Sequence, residues 1–332
     1  MRVLLRPEVF TSRCHVELMV LLWLGGHGRH RIFPHPIEQK EYTDWVAALD
    51  PDTRSAWQEM VEASFERERL REAQWEIAVT VNQSAIWSHA TPLLPVSEAL
   101  DLLLQPYRIV LENNVNDRAF FLAMCRNHEA HHFREFERRG WLHFEMGGGT
   151  TIGQRVEQIR RSEALRRMAS VLVDSDAMRP PDKSRNETIA HVEGTVASMV
   201  RKSAGDSVVG VHWKVLKRRA IENYLPLKAL RRWQRGNDER HQIVECFETL
   251  TRDQQNHYNM KKGFAGDLAN QIRAGDLYNH PPISDRTSAT LDSGFGSNVA
   301  ELFHDYVRVE DLDHEAQAEL REFVHEVLAR IG

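Results

Sequence analysis

Acidic residues follow two short apolar runs in the middle of the chain. Val171–Val173 is followed by Asp174-Ser175-Asp176, and Ile109–Leu111 is followed by Glu112 and then Asp117. If each apolar run is a buried strand, alternation along the strand places Asp174 and Asp176 on the same side. Neighbouring carboxylates repel one another, and a hard divalent cation removes that repulsion. The simpler alternative makes Glu112 a turn residue and Asp117 a helix N-cap.

The residues around these motifs predict strands that alternate with helices. The predicted strands are Arg108–Leu111, Trp141–Met146, Ser170–Val173 and Ser207–Trp213. The predicted helices are Arg118–Arg138, Thr150–Met168, Glu187–Arg201 and Ala220–Trp233. This alternation is typical of an α/β fold with a parallel sheet and helices on both faces. Sites in such sheets form beyond the carboxyl ends of the strands, where both acidic motifs fall.

The flanking regions have different patterns. Residues 1–100 are predicted to be a mostly helical N-terminal region, with helices at Tyr42–Leu49 and Asp52–Glu66 and one strand at Trp75–Val81. Residues 101–235 form the predicted catalytic domain. Residues 236–332 are predicted to be mostly helical and to close with an amphipathic helix, Leu312–Ile331, that packs on the neighbouring domain.

The order strand, Glu112, loop, Asp117, helix, and later strand, Asp174, Asp176, resembles the Toprim domain. Two further segments resemble the nucleases of the overcoming-lysogenisation-defect (OLD) family and the stand-alone Toprim effectors of anti-phage systems. They are the glycine turn Gly147–Gly149 and the stretch Arg218–Pro226, which reads RRAIENYLP. The resemblance covers roughly residues 106–235.

The resemblance implies a Toprim-like nuclease that holds Mg²⁺ or Mn²⁺, with two ions expected. The implied metal ligands are Glu112, Asp117, Asp174, Asp176 and Glu222. The implied catalytic residues are Glu112, Asp174, Asp176, Glu222 and a downstream lysine, for which Lys261 and Lys262 are the candidates, Lys261 being preferred. The family's usual glycine after the first glutamate is Asn113 here. The loop leaves open whether Asp117 or Asn116 fills the second position of that motif.

Basic residues concentrate directly after the acidic motifs. Between Lys214 and Arg235 the only acidic residue is Glu222. A local basic segment can hold a phosphate backbone even in a chain whose net charge is −5. The candidate nucleic-acid contacts are Lys214, Lys217, Arg218, Arg219, Arg231 and Arg232. An ordinary solvated helix face is the alternative.

His128-Glu129-Ala130-His131-His132 is a literal HExxH motif. On a helix, His128 and His132 would share a face and could bind zinc, with Glu129 as the general base of a peptidase. The sequence marks no clear third ligand, and a chain with 17 histidines produces such matches by chance. Zinc peptidase is therefore the second alternative.

The composition bears on the cellular location of the protein and on its partners. Three scattered cysteines argue against a disulfide framework and a cysteine zinc ribbon, and they favour a cytoplasmic location. The longest apolar run, Leu18–Leu24, is too short to span a bilayer, so no membrane partner is expected. The sequence shows no Walker A loop, and the resemblance implies an ATPase partner protein; a homo-oligomer is compatible with it.

These observations favour an endonuclease that cleaves phosphodiester bonds in DNA or RNA, acting as an effector against phage or plasmids. The first alternative is a catalytically silent Toprim scaffold subunit of a larger nucleic-acid complex, since the first motif is irregular.

Overall fold

The computed structural model describes residues 1–36, 39–70, 73, 75–182, 184, 187–204, 211–269 and 275–331. Within these residues the chain forms two four-stranded parallel sheets. No helix in the described part of the chain is long and apolar enough to cross a membrane.

The first sheet lies in the N-terminal region. Its strands are β1 (Arg2–Leu5), β2 (Arg31–Pro34), β3 (Glu76–Thr80) and β4 (Leu93–Pro95), in the order β2-β1-β3-β4. Its helices are α1 (Pro7–Thr11), α2 (His15–Gly26), α3 (Lys40–Ala48), α4 (Pro51–Leu70) and α5 (Val96–Leu104). Helices dominate this region as predicted, and β3 matches the predicted strand. The sheet itself was not predicted, because three of its strands have only three or four residues and show no alternating pattern.

The second sheet carries the acidic motifs. Its strands are β5 (Tyr107–Leu111), β6 (Leu142–Met146), β7 (Ala169–Val173) and β8 (His212–Val215), in the order β6-β5-β7-β8. All pairings are parallel. The α/β class and the parallel sheet are therefore confirmed. The predicted fourth strand, Ser207–Trp213, is shifted toward the C-terminus, and its residues 207–210 lie outside the described residues.

Helices cover both faces of the second sheet. Its helices before β8 are α6 (Asn116–Ala123), α7 (Asn127–Arg138), α8 (Ile152–Arg161), α9 (Glu163–Arg167), α10 (Ile189–Val192) and α11 (Thr195–Ala204). Those after β8 are α12 (Leu227–Trp233), α13 (Asp238–Glu248), α14 (Arg252–His257), α15 (Gly263–Ala269), α16 (Asp285–Thr290), α17 (Leu302–Asp305) and α18 (His314–Ile331).

Several predicted helices are interrupted for identifiable reasons. The predicted helix Thr150–Met168 breaks at Ser162, whose hydroxyl accepts the backbone N–H of Leu165 and caps α9. The predicted helix Ala220–Trp233 is a short 3-10 helix, Ile221–Tyr224, followed by α12, because Pro226 cannot donate an interior helical hydrogen bond. Arg118–Arg138 is likewise two helices, α6 and α7.

Residues on alternate positions of β5 enter two different cores. Ile109 and Leu111 pack in a core with α6, α7 and most of the chain after residue 215, including α18. Val110 packs on the opposite face with α8 and α11. The predicted boundary at residue 235 therefore falls inside one continuous core. The N-terminal sheet has a core of its own, which ends near Leu103 apart from Met168.

Candidate metal centre

Glu112 and Asp174 are the first residues after the central strands β5 and β7. The chain leaves β5 toward β6 on one side and reaches β7 on the other, so these two residues flank the switch point of the sheet, where α/β folds form their sites. The backbone N–H of Asp174 donates to Glu112 Oε1 at 3.0 Å. The backbone N–H of Ile221 donates to Asp174 Oδ1 at 2.9 Å. The predicted proximity of Glu112 and Asp174 is confirmed.

Asp117 belongs to the same cluster. It lies in the first turn of α6, and its Oδ2 accepts the backbone N–H of Asn113 at 2.8 Å. Its charge raises the pKa of both Glu112 and Asp174. Of the two residues that the sequence left open, Asp117 is therefore the one whose side chain faces the other carboxylates.

Asp176 lies near the cluster, but the backbone positions it in a way that the sequence analysis did not predict. β7 ends at Val173, so strand alternation does not position Asp176. Its backbone adopts a left-handed conformation (φ 51°), and its N–H donates to the carbonyl of Arg219 at 2.8 Å. A Cβ added to Gly194 would lie 2.3 Å from the Asp176 Cβ, so only glycine fits there. The interpretation from strand alternation was wrong, although Asp176 does raise the pKa of Glu112.

Glu222 is the most deeply buried member of the cluster. It lies on the 3-10 helix Ile221–Tyr224 and is 1% exposed. Lys261 Nζ lies 3.0 Å from Glu222 Oε1. Among the described residues, no other donor reaches either carboxylate oxygen. A buried carboxylate with an unpartnered oxygen is costly unless a cation satisfies it.

The turn that carries Lys261 is held by two interlocked glycines, which the sequence analysis missed. Gly263 and Gly294 both have positive φ, and a Cβ on either would overlap backbone atoms of the other's turn at 2.3–3.0 Å. The N–H of Phe295 also donates to the carbonyl of Met260 at 2.7 Å. Of the two candidate lysines, Lys261 is the one that contacts the acidic cluster, through Glu222.

The pKa values in the cluster reflect the crowding of carboxylates around one ammonium group. Burial, together with the charges of Asp176 and Asp117, raises the pKa of Glu112 to about 7. Burial raises the pKa of Asp117 to about 6, and burial with the charges of Glu112 and Glu222 raises that of Asp174 well above its usual range. Burial also raises the pKa of Asp176. Burial opposes charge on Lys261, but Glu222 and Asp174 outweigh it and raise its pKa.

The donor set fits a hard divalent ion. It consists of carboxylate oxygens, which Mg²⁺ and Mn²⁺ prefer, and among the described residues the only cation beside the buried Glu222 carboxylate is the ammonium group of Lys261. Among the described residues, however, no three His, Cys, Asp or Glu side chains are already arranged as a complete metal site. The cluster is a candidate centre whose carboxylates must still converge on an ion.

The raised pKa of Glu112 leads to a testable pH dependence. A carboxyl whose pKa is higher in the folded than in the unfolded state costs no stability below its unfolded pKa. The cost grows as the pH rises from the usual 4.5 toward 7, and it is complete above 7. Since a cation offsets that cost, Mn²⁺ should raise the melting temperature more at about pH 8 than at about pH 5. Thermal denaturation with Mn²⁺ or EDTA measures the difference, and Glu112→Gln should reduce it.

Two arginines of the basic segment lie inside the protein. Arg218 is buried; it pairs with Asp313 and donates to the carbonyl of Asn223 at 2.9 Å. Arg219 forms a two-pronged pair with Asp267 at 2.6 and 2.8 Å. Both guanidinium groups tie the acidic site to the C-terminal part of the chain. Both side chains already have partners inside the protein, which does not favour the predicted phosphate contact at Arg218 and Arg219.

The other predicted basic contacts differ in exposure. Lys214 lies 4.0 Å from the buried carboxylate of Glu319 and is half-buried. Arg231 is exposed but pairs with Glu248. Lys217 and Arg232 are exposed, and in the described part of the chain neither forms an ion pair. Only these last two remain free for an external anion.

The HExxH segment forms the first turns of α7. The Glu129 carboxylate accepts the backbone N–H of Arg126 at 2.7 Å and so caps the helix. His128 and His132 are exposed, with ring centroids 6.4 Å apart. This hydrogen bond gives Glu129 a role in helix capping that requires no metal. The segment therefore has a structural explanation without zinc.

Replacing both His128 and His132 by alanine should leave folding and any metal-dependent cleavage unchanged, because both rings lie outside the acidic cluster and its cores. Elemental analysis of the purified protein and a cleavage assay test this expectation. Stoichiometric zinc that disappears in the double variant would restore the peptidase alternative.

Comparison of this chain with known proteins gives no match to a family model, a curated protein or a solved structure.

Proposed function

We propose that this chain is a divalent-metal-dependent nuclease that hydrolyses phosphodiester bonds. One observation carries the proposal: five carboxylates from several segments of the chain lie near one another at the switch point of a parallel sheet, and one of them, Glu222, has a buried oxygen without a partner among the described residues. Such a cluster is unfavourable by itself, and divalent cations are the ligands that relieve it.

The proposed roles follow from position and exposure. Glu112, Asp117, Asp174 and Asp176 would hold the ions beyond the carboxyl ends of the strands. Glu222 would bind them from the protein interior. A bound ion supplies activated water and stabilises the charge that develops at phosphorus. Lys261 is about half exposed, so its ammonium group can contact both the carboxylates and an arriving phosphate. Its positive charge would favour the substrate's phosphodiester over neutral molecules.

The biological setting is proposed from the sequence resemblance alone. The RRAIENYLP stretch and the acidic motifs resemble those of Toprim effectors in anti-phage defence, so we propose an anti-phage or anti-plasmid role. An ATPase partner and a cytoplasmic location belong to the same proposal.

Incubation of the purified protein with plasmid, single-stranded DNA and tRNA tests the function. Cleavage of at least one substrate with Mn²⁺ or Mg²⁺, and of none with EDTA, is the expected result. Binding without cleavage under all conditions would favour the scaffold alternative, for which the irregular first motif is the supporting observation.

A further inference from the structure

Two adjoining cavities lie beside α6 and α7. Their volumes are about 420 and about 460 Å³. They share Asn127, Asp305 and Arg308 in their walls, so they form one continuous groove between α6, α7, α12 and the segment around α17. Neither cavity includes a residue of the acidic cluster.

Three arginines line this groove without a carboxylate partner among the described residues: Arg134, Arg232 and Arg308. Two other cations in its walls are neutralised, since Arg118 pairs with Glu137 and Lys228 with Asp311.

Two carboxylates, Asp305 and Glu310, also face the groove. The free positive charge therefore exceeds the free negative charge only slightly. Such a groove suits a ligand with a few spaced anionic groups. The electrostatic attraction between the groove and this ligand should be weak at high salt.

The walls of the groove also offer apolar and aromatic surface. Leu122 and Phe303 contribute to the first cavity. Tyr306 lines the second and is 44% exposed, and the guanidinium group of Arg232 lies 5.9 Å from its ring centroid. Exposed aromatic rings beside arginines are the elements on which unpaired bases stack.

We propose that this groove, defined by Arg134, Arg232, Arg308 and Tyr306, binds a single-stranded stretch of DNA or RNA that flanks the cleaved bond. The inference rests on the proposed nuclease function and names its substrate as single-stranded. Two of the groove's elements also serve the metal centre: α6 begins with Asp117 in its first turn, and α12 follows the 3-10 helix of Glu222. In a duplex the bases are stacked inside and cannot reach Tyr306.

Fluorescence anisotropy with a labelled single-stranded oligonucleotide, in EDTA so that no cleavage occurs, measures this binding. The double variant Arg134→Glu with Arg308→Glu should weaken binding at least about tenfold. It should also reduce the slope of log affinity against log salt by about 1.4, since each lost contact to a single strand removes about 0.7. Tyr306→Ala should weaken binding by about tenfold with little change in slope, and Tyr306→Phe should restore it.

The matched control reverses the same number of charges elsewhere. Arg69, at the end of α4, and Lys202, on α11, are both exposed and lie outside the groove. Arg69→Glu with Lys202→Glu should leave most of the affinity intact. Thermal denaturation of every variant excludes unfolding as the cause of a loss, and Arg308→Gln provides a milder change if the double variant does not fold.

Any one of the following results would overturn the proposal. They are unchanged affinity in the groove variants, an equal loss in the control, or tighter binding of a duplex than of the matching single strand. Full competition by a mononucleotide, with no gain for longer strands, would make the groove a small-ligand site instead and would also contradict it. An active Asp174→Asn protein would refute the proposed metal chemistry while leaving this binding result intact.

Discussion

Asp174→Asn should abolish metal-dependent cleavage, with a loss of at least about 10³-fold, because ion binding, water activation and charge stabilisation disappear together. The same change should not destabilise the metal-free protein. The raised pKa of Asp174 favours its protonated form, and an asparagine side chain is nearly isosteric with that form. The amide carbonyl of the asparagine can still accept the Ile221 N–H. Cleavage rates in Mn²⁺ and urea denaturation in EDTA measure the two effects.

Asp101→Asn is a matched control, since Asp101 is an exposed aspartate on α5 in the N-terminal unit. It should retain full activity. An Asp174→Asn protein that cleaves as fast as the unchanged protein would remove the basis of the proposed function.

Arg218→Ala should lower the free energy of unfolding by about 3 kcal/mol, because the buried side chain loses its charged hydrogen bonds and its contact with the Tyr224 ring. The guanidinium carbon lies 4.7 Å from that ring centroid. Urea denaturation measures the loss. Reduced nucleic-acid binding in this variant would follow from unfolding and not from a lost phosphate contact.

The comparison variant is Arg231→Ala. Arg231 is an exposed arginine in the same sequence segment and pairs with Glu248. An exposed ion pair contributes little to stability, so this variant should be nearly as stable as the unchanged protein. If Arg218→Ala were equally stable and lost nucleic-acid affinity, the original phosphate interpretation would be right after all.

The second sheet could be predicted because its central strands have a recognisable sequence pattern. β5 and β7 are largely buried and carry the apolar runs Ile109–Leu111 and Val171–Val173, and helical patterns separate them. Once they are parallel neighbours, Glu112 and Asp174 must meet at one edge. The sequence was sufficient to predict that Glu112 and Asp174 lie together, because each carboxylate directly follows one of these two strands.

The remaining features depend on contacts between distant segments. Arg218 and Arg231 lie in the same basic run of the sequence. Arg218 is buried by contacts with Asn223 and Tyr224 and by Asp313, which lies far along the chain. Lys261 faces Glu222 because Gly263 and Gly294 pack backbone to backbone, which single glycines in a sequence do not indicate. The groove arginines come from three separate segments without a shared motif.

The shared core of the second sheet sets the order in which the parts of the protein can fold during synthesis. The N-terminal unit has its own core and can fold while the ribosome is still translating the rest. The metal centre cannot, because Phe323, Val327 and Ile331 of α18 fill the core beneath β5, and Glu319 accepts the Tyr224 hydroxyl at 2.8 Å. Every carboxylate of the centre is translated well before α18. The candidate centre therefore stays incomplete until α18 has emerged from the ribosome.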